Sequence, residues 1–250
     1  MFTLIMVSSG ILWLLAYILI IKRGFQDKTY GMPLVAICGN ISWEFIFSFI
    51  YPHLAPHVYV NIFVFSLDLI ILFQLLFIWQ NEFKGLSKKF FYTIFISIFV
   101  ISFYIMFVIT YRYRDLYGVK LAYGQNLLMS ILFITMILNR NSIKGQSIYI
   151  AILKMLGTAL TSVAFYIFFA REFYENSIFW SILYTLIFLF DIIYIFIFYQ
   201  KSRKQAINPW TRAWYVKLIR DSKNRSNLLI QFFFKALFYS RAWRPPSVST

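Results

Sequence analysis

Seven long, mostly apolar runs alternate along the chain with short polar loops, at about 2–21, 33–51, 59–79, 90–111, 121–138, 148–170 and 177–199. A helix needs roughly 20 consecutive apolar residues to cross the hydrocarbon core of a bilayer, and each run is close to that length. The runs are too continuous for barrel strands, and in lipid every backbone group needs an internal partner, so each is predicted to be a helix. The expected fold is therefore an all-α integral membrane bundle of seven transmembrane helices. The first run lacks a basic start and is longer than the apolar part of a signal peptide, so it reads as a retained helix.

After Tyr199 the pattern breaks, which divides the chain into a seven-helix domain at 1–200 and a basic amphipathic cytoplasmic tail at 201–250. In the tail, Trp210, Trp214, Lys217 and Leu218 recur at helical spacing, flanked by Arg212 and Arg220. That spacing reads as a helix in the headgroup region. The patch LLIQFFFKALFY is too short to span, and a half-buried eighth segment stays open.

Charge sets the orientation. Lys22, Arg23, Lys28, Lys84, Lys88, Lys89, Arg140 and Lys144 fall in one set of loops, against Arg112, Arg114, Lys120 and Arg171 in the other, and eleven Lys and Arg lie between Lys201 and Arg244. The positive-inside rule then places the N-terminus outside and the C-terminus in the cytoplasm. With 61% apolar and 13% charged residues the chain cannot be a water-soluble fold. The net charge of +15 speaks of topology and the anionic inner leaflet and calls for no nucleic acid. A lone Cys38 excludes an intrachain disulfide.

Three carboxylates interrupt these runs: Glu44, Asp68 and Asp191. An ionised acid at the bilayer centre costs at least ~2.5 kcal/mol, so an intramembrane acid points to a functional cavity between helices. At 1.5 Å of rise per residue all three lie within about 5 Å of their segment midpoints. On helical faces, Asn40 sits one turn from Glu44, within reach of a hydrogen bond, with Trp43 beside it and Tyr51 two turns on. Asn61 aligns with Asp68, while Asp191 shares a face with Trp180, Tyr184 and Tyr194. The fifth run contributes Tyr123, Asn126 and Ser130, and the sixth Lys154, Thr158, Thr161 and Phe165. Lys154 can pair with one of the acids or snorkel to the interface, and any of the three acids can serve only to hold helices together.

His53 and His57 are four apart, but prolines interrupt that stretch and no third ligand is near, so they read as loop residues with no metal. GxSxG, HExxH and phosphate-loop motifs are missing, which leaves isolated acids to carry any chemistry.

The stretch from Tyr30 through GMPLVAICGNISW to Glu44, Asp68, AYGQNLLMS at 122–130, GQSIYIAILKMLGT at 145–158 and FDIIYI at 190–195 together resemble the small seven-helix terpene cyclases of fungal meroterpenoid and indole-diterpene pathways. The resemblance covers about residues 2–200. It implies cyclisation of a prenyl chain, usually with a terminal epoxide and an aromatic or polyketide head, without a cofactor. It also implies Glu44 and Asp191 as the catalytic acids. Asn40, Trp43, Tyr51, Asp68, Asn126, Trp180, Tyr184 and Tyr194 are the expected supporting pocket. DDxxD and DxDD are absent, which agrees with a metal-free start on a lipophilic, epoxidised substrate. Glu44 is favoured as donor, because Asn40 and Trp43 give it a partner and an apolar wall; Asp191 is a second donor or a tuning partner. The competing class is a seven-helix transporter or receptor whose acids bind a cation or relay protons.

Overall fold

The computed structural model describes residues 1–83, 85–168 and 177–211. Seven α-helices run through them in order: α1 (Phe2–Asp27), α2 (Leu34–Phe45), α3 (His57–Glu82), α4 (Lys88–Tyr113), α5 (Val119–Arg140), α6 (Ile148–Phe168) and α7 (Ser177–Lys204). All but α2 are long and apolar enough to cross a membrane, which makes this a multi-pass integral membrane protein. α1, α3, α4, α5 and α7 outrun their apolar runs at one end or both, where polar and charged side chains continue the helix. The seventh helix, for instance, continues to Lys204 and carries Lys201, Arg203 and Lys204 in its last turn.

The second predicted span has a different build. α2 gives way at Ile46 to a π-helical turn, Ile46–Ile50, so that the whole apolar helix is Leu34–Ile50. At 1.5 Å per residue it is about 26 Å long, short of the ~30 Å core. The turn closes with the Tyr51 amide donating to the Ile46 carbonyl at 2.7 Å. Asn61 of α3 reaches across to the Phe47 carbonyl at 3.3 Å, taking up an acceptor that the irregular turn exposes.

α2 is central, packed against α3, α4 and α5; α1 lies along α6, and α7 closes against α5 and α6. The main core, with Ile20, Met32, Ile37, Phe133, Ile150 and Phe198, fills the half of the bundle nearest the α1–α2 and α5–α6 loops. There Arg140 ties the loops together, pairing with Glu82 at 3.0 Å and donating to the carbonyls of Tyr30 and Lys144. The other half holds two smaller clusters, around Phe47 with Leu121 and around Tyr123 with Trp180, and between them space is left open.

Of the expected tail, residues 205–211 fold back: Ile207 packs on the core, and Trp210 meets Tyr149 edge-on at 6.2 Å in a turn, not a helix. Trp214, Lys217, Leu218, Arg212, Arg220 and the LLIQFFFKALFY patch lie outside the described residues.

Candidate active site

The open half of the bundle encloses a cavity of about 360 Å³. α2 supplies Asn40, Trp43 and Glu44; α1 supplies Trp13 and Tyr17; α5 supplies Tyr123, Gln125 and Asn126; α6 supplies Thr158, Thr161 and Phe165. The exposed side chains of His57 and Tyr117 mark the end at which it opens. Glu44 is the one carboxyl among the lining residues, and its Oε2 is buried without a hydrogen-bond partner among the described residues.

Each wall is held from behind. Trp43 donates its indole N–H to the Gly118 carbonyl at 3.0 Å and packs on Phe47, with ring centroids 4.7 Å apart. Gly118 has φ +65°, and a Cβ there would run into the Phe47 ring and the Trp43 nitrogen, so glycine is required twice over. The loop it belongs to is fixed by Asp115, whose carboxylate accepts the backbone N–H groups of Val119, Lys120 and Leu121 at 2.9–3.3 Å and caps α5. On the opposite wall Tyr123 is backed by Tyr184 and Trp180, at centroid distances of 4.7 and 5.9 Å. Asn126 donates to Thr158 at 2.8 Å and keeps its own carbonyl oxygen unpartnered among the described residues.

Asn40 does not bond Glu44. Its carboxamide accepts from Gln125 at 3.3 Å and donates to the Tyr17 hydroxyl, which uses it before Glu44 can. Gln125 reaches Asn40 over Gly39, where a Cβ would collide with its carboxamide. Asp68 is fully buried, borders Tyr17 and Asn40, and has neither oxygen in hydrogen-bonding geometry with any described residue.

The three acids are not gathered in one site: Asp68 neighbours Glu44, and Asp191 stands apart with Lys154. Asp191, also fully buried, pairs with Lys154 at 2.6 Å, and Lys154 donates in addition to Ser130 at 2.7 Å. The pair lies outside the cavity lining, with the ammonium 5.9 Å from the Trp13 ring. Tyr194 bonds Gln146 and packs on Phe133, while Tyr51 belongs to the Ile46–Phe47 cluster and stacks on Phe107. Tyr51 is off the Glu44 face because the π turn puts an extra residue into the helix before it and the chain leaves helical geometry at Tyr51 itself.

His53 lies in the loop as expected, whereas His57 is the first residue of α3, and both line the cavity. His53 is sandwiched between Phe47 and Trp43, and its Nδ1 accepts from Asn61 at 3.0 Å. Burial, and then the neighbouring His57, hold its ring below the ordinary histidine range. Among the described residues no three His, Cys, Asp or Glu side chains are grouped to hold a metal ion. Tyr17, Trp13 and Gln125 are lining residues that the acid-centred reading passed over. Trp13 and Tyr17 are spaced i, i+4 in an otherwise aliphatic run, a signal that periodicity alone carries.

Residues 1–204 match the profile of the Pyr4-like transmembrane terpene cyclases. The Pyr4-family terpene cyclase mfmH of Annulohypoxylon moriforme is 54% identical over 43 residues, 17% of this chain and 18% of that protein. Terpene cyclase macJ of Penicillium terrestre is 51% identical over 39 residues, 16% of this chain and 15% of its own length. Asnovolin H synthase nvfL of Aspergillus novofumigatus is 26% identical over 165 residues, 63% of this chain and 66% of that protein. The stretches of high identity thus span less than a fifth of those relatives. No solved structure matches the chain. The chain belongs to the Pyr4-like transmembrane terpene cyclases.

Proposed function

We propose that the protein is a membrane-bound cyclase in which Glu44 protonates the terminal epoxide of a prenyl chain carried on an aromatic or polyketide head, and in which the cavity folds the chain for a polyene cyclisation. The observation that carries this reading is the placement of Glu44 as the lone carboxyl in a cavity walled by Trp13, Tyr17, Trp43, Tyr123 and Phe165. An apolar surround favours the uncharged form of a carboxyl, which is the form that can give a proton.

Proton transfer to the epoxide oxygen lets the adjacent C–O bond break, and ring strain is released as a tertiary cation forms. The chain's own double bonds then attack in sequence. Ring faces on both sides of the cavity stabilise the moving charge, each by up to about 2 kcal/mol when desolvated. Asp191 enters this reading as a positioning residue: its pair with Lys154 fixes α6 and α7 behind Trp13 and Thr158. The N-terminus lies outside and the C-terminus in the cytoplasm, so the cavity opens on the non-cytoplasmic side.

The test is an assay of membranes carrying the protein with terminally epoxidised farnesyl and geranylgeranyl phenols, products being separated by mass-matched chromatography. Glu44→Gln at normal expression should lose about 10²- to 10⁴-fold in turnover, the usual worth of a positioned general acid. Turnover that survives in Glu44→Gln would move the donor elsewhere, and equal conversion of unepoxidised chains would overturn the epoxide.

A further inference from the structure

α1 and α3 run side by side in the same direction: Ile21 meets Gln74, and farther along Thr29 meets Glu82. Residues seven apart on a helix keep nearly one face, drifting by only about 20°. At one level the two helices are in contact. Gln74 donates to the Ile21 carbonyl at 2.8 Å, and a Cβ on Gly24 would collide with the Gln74 carboxamide. Seven residues earlier on each helix, Tyr17 is still buried and Leu67 is half-buried. Seven earlier again the contact is gone: a Cβ on Gly10 would meet nothing within 4 Å, and Val60 is 53% exposed.

The helices splay because at that end each is tied to a different neighbour. The Ser9 hydroxyl of α1 donates to the Gly157 carbonyl of α6 at 2.7 Å, and Phe2 packs edge-on against Phe165 and Phe168. Asn61 holds α3 to the π turn through the Phe47 carbonyl. The gap so formed leads inward, since Gly10 shares its face of α1 with Met6, Trp13 and Tyr17, all of which line the cavity, as His57, Asn61 and Val64 of α3 do. Gly10 is eight residues from Phe2 and twelve from Lys22, about 12 and 18 Å along the axis. That depth falls inside the ~30 Å hydrocarbon core, in its non-cytoplasmic half on the orientation proposed above.

We propose that the gap between α1 and α3, with Gly10 and Val60 at its edges, is a side entrance through which the prenyl chain passes from the bilayer into the cavity. The proposal rests on the cyclase reading above and adds the route that its substrate takes. A prenyl chain is dissolved among the acyl chains at that depth, and entry from the side spares it exposure to water. The absence of a side chain at Gly10 leaves width for a branched chain.

Two arms test this. In vesicles given a terminally epoxidised farnesyl phenol, Gly10→Phe and Val60→Trp put a ring into the gap from opposite sides. Each should lower kcat/KM at least about tenfold while kcat falls less, because the obstructed step is entry. Ile11→Phe, on the exposed face of α1 beside the gap, should match the wild type. Unchanged kcat/KM in both gap variants at wild-type expression would overturn the proposal. The second arm needs no turnover and places a nitroxide on Val60→Cys in lipid vesicles, the native Cys38 being buried. Collisions with dissolved oxygen, which concentrates in hydrocarbon, should outnumber those with a water-soluble nickel chelate. Unepoxidised farnesyl phenol should then reduce the oxygen collisions at Val60→Cys and leave those at Ile11→Cys unaltered. More collisions with the chelate than with oxygen, or no response to farnesyl phenol, would also overturn the proposal. If the wild type converts no epoxide, the cyclase reading fails, and the nitroxide arm alone decides whether the gap admits a prenyl chain from lipid.

Discussion

The ion pair between Lys154 and Asp191 shows how much one partner choice changes a residue's meaning. Both side chains are almost wholly inaccessible, so removing either leaves a charge buried with no counter-ion. Breaking such a pair costs about 3–5 kcal/mol, whereas replacing both members by neutral groups is often tolerated. Lys154→Met and Asp191→Asn should therefore each lower the yield of folded protein and its thermal midpoint in detergent, while the double variant recovers most of the loss. Single and double variants that unfold alike would show the pair to be energetically idle. Periodicity could place Asp191 on an aromatic face and Lys154 on the next helix, but not decide which acid of three the lysine would meet. The same limit hid Tyr17: sequence spacing says which residues share a face, and contacts across helices are fixed only when the bundle closes. That Glu44 and Asn40 face a cavity was legible, because polar side chains in an apolar helix turn away from lipid, whereas the partners of Asn40 were not.

At the scale of elements, the π turn that ends α2 and the loop before α5 are one assembly. The turn aims Phe47 into the gap over Gly118, and the Gly118 carbonyl holds Trp43. Gly118→Ala should cost about 1–3 kcal/mol from the left-handed backbone alone, and the clash with Phe47 adds to it. A thermal midpoint equal to wild type would show that the loop can yield. His53 packs on the same turn with Nδ1 already accepting from Asn61, so a proton on that nitrogen would oppose the bond. Its folded-state pKa is lowered, by burial first and His57 second, so unfolded chains bind the proton more readily. Stability from neutral His53 is then complete above the unfolded value of about 6.5 and is lost as pH falls through the folded value. Unfolding midpoints of the wild type in detergent should drop on acidification through that window, and those of His53→Gln should drop less, groups common to both proteins cancelling. Parallel pH curves for the two would remove His53 as the cause. None of this was visible in the apolar pattern, since a π turn leaves the run of hydrophobic residues unbroken while changing its phase.

The whole molecule is asymmetric along the bundle axis, and that asymmetry joins topology to chemistry. One half is packed solid around Ile37, Phe133 and Phe198 and stitched by Arg140; the other keeps a cavity whose mouth lies at the α2–α3 and α4–α5 loops. The seven apolar runs and their order were readable directly, because lipid admits few alternatives to a helix. Which end would be hollow was not, because both ends are apolar in composition. The basic loops belong to the solid end, and on the orientation proposed above, with those loops inside, the mouth faces away from the cytoplasm. A lipophilic substrate would then enter the cavity from the far side of the membrane. The lone Cys38 is fully buried, which makes single introduced cysteines clean reporters of this. In sealed microsomes, whose outer face is cytoplasmic, Arg203→Cys should react at once with a membrane-impermeant maleimide. Leu54→Cys, exposed beside the mouth, should react only after detergent opens the vesicles. Immediate labelling of Leu54→Cys with protection of Arg203→Cys would invert the topology and bring the cavity mouth to the cytoplasmic surface.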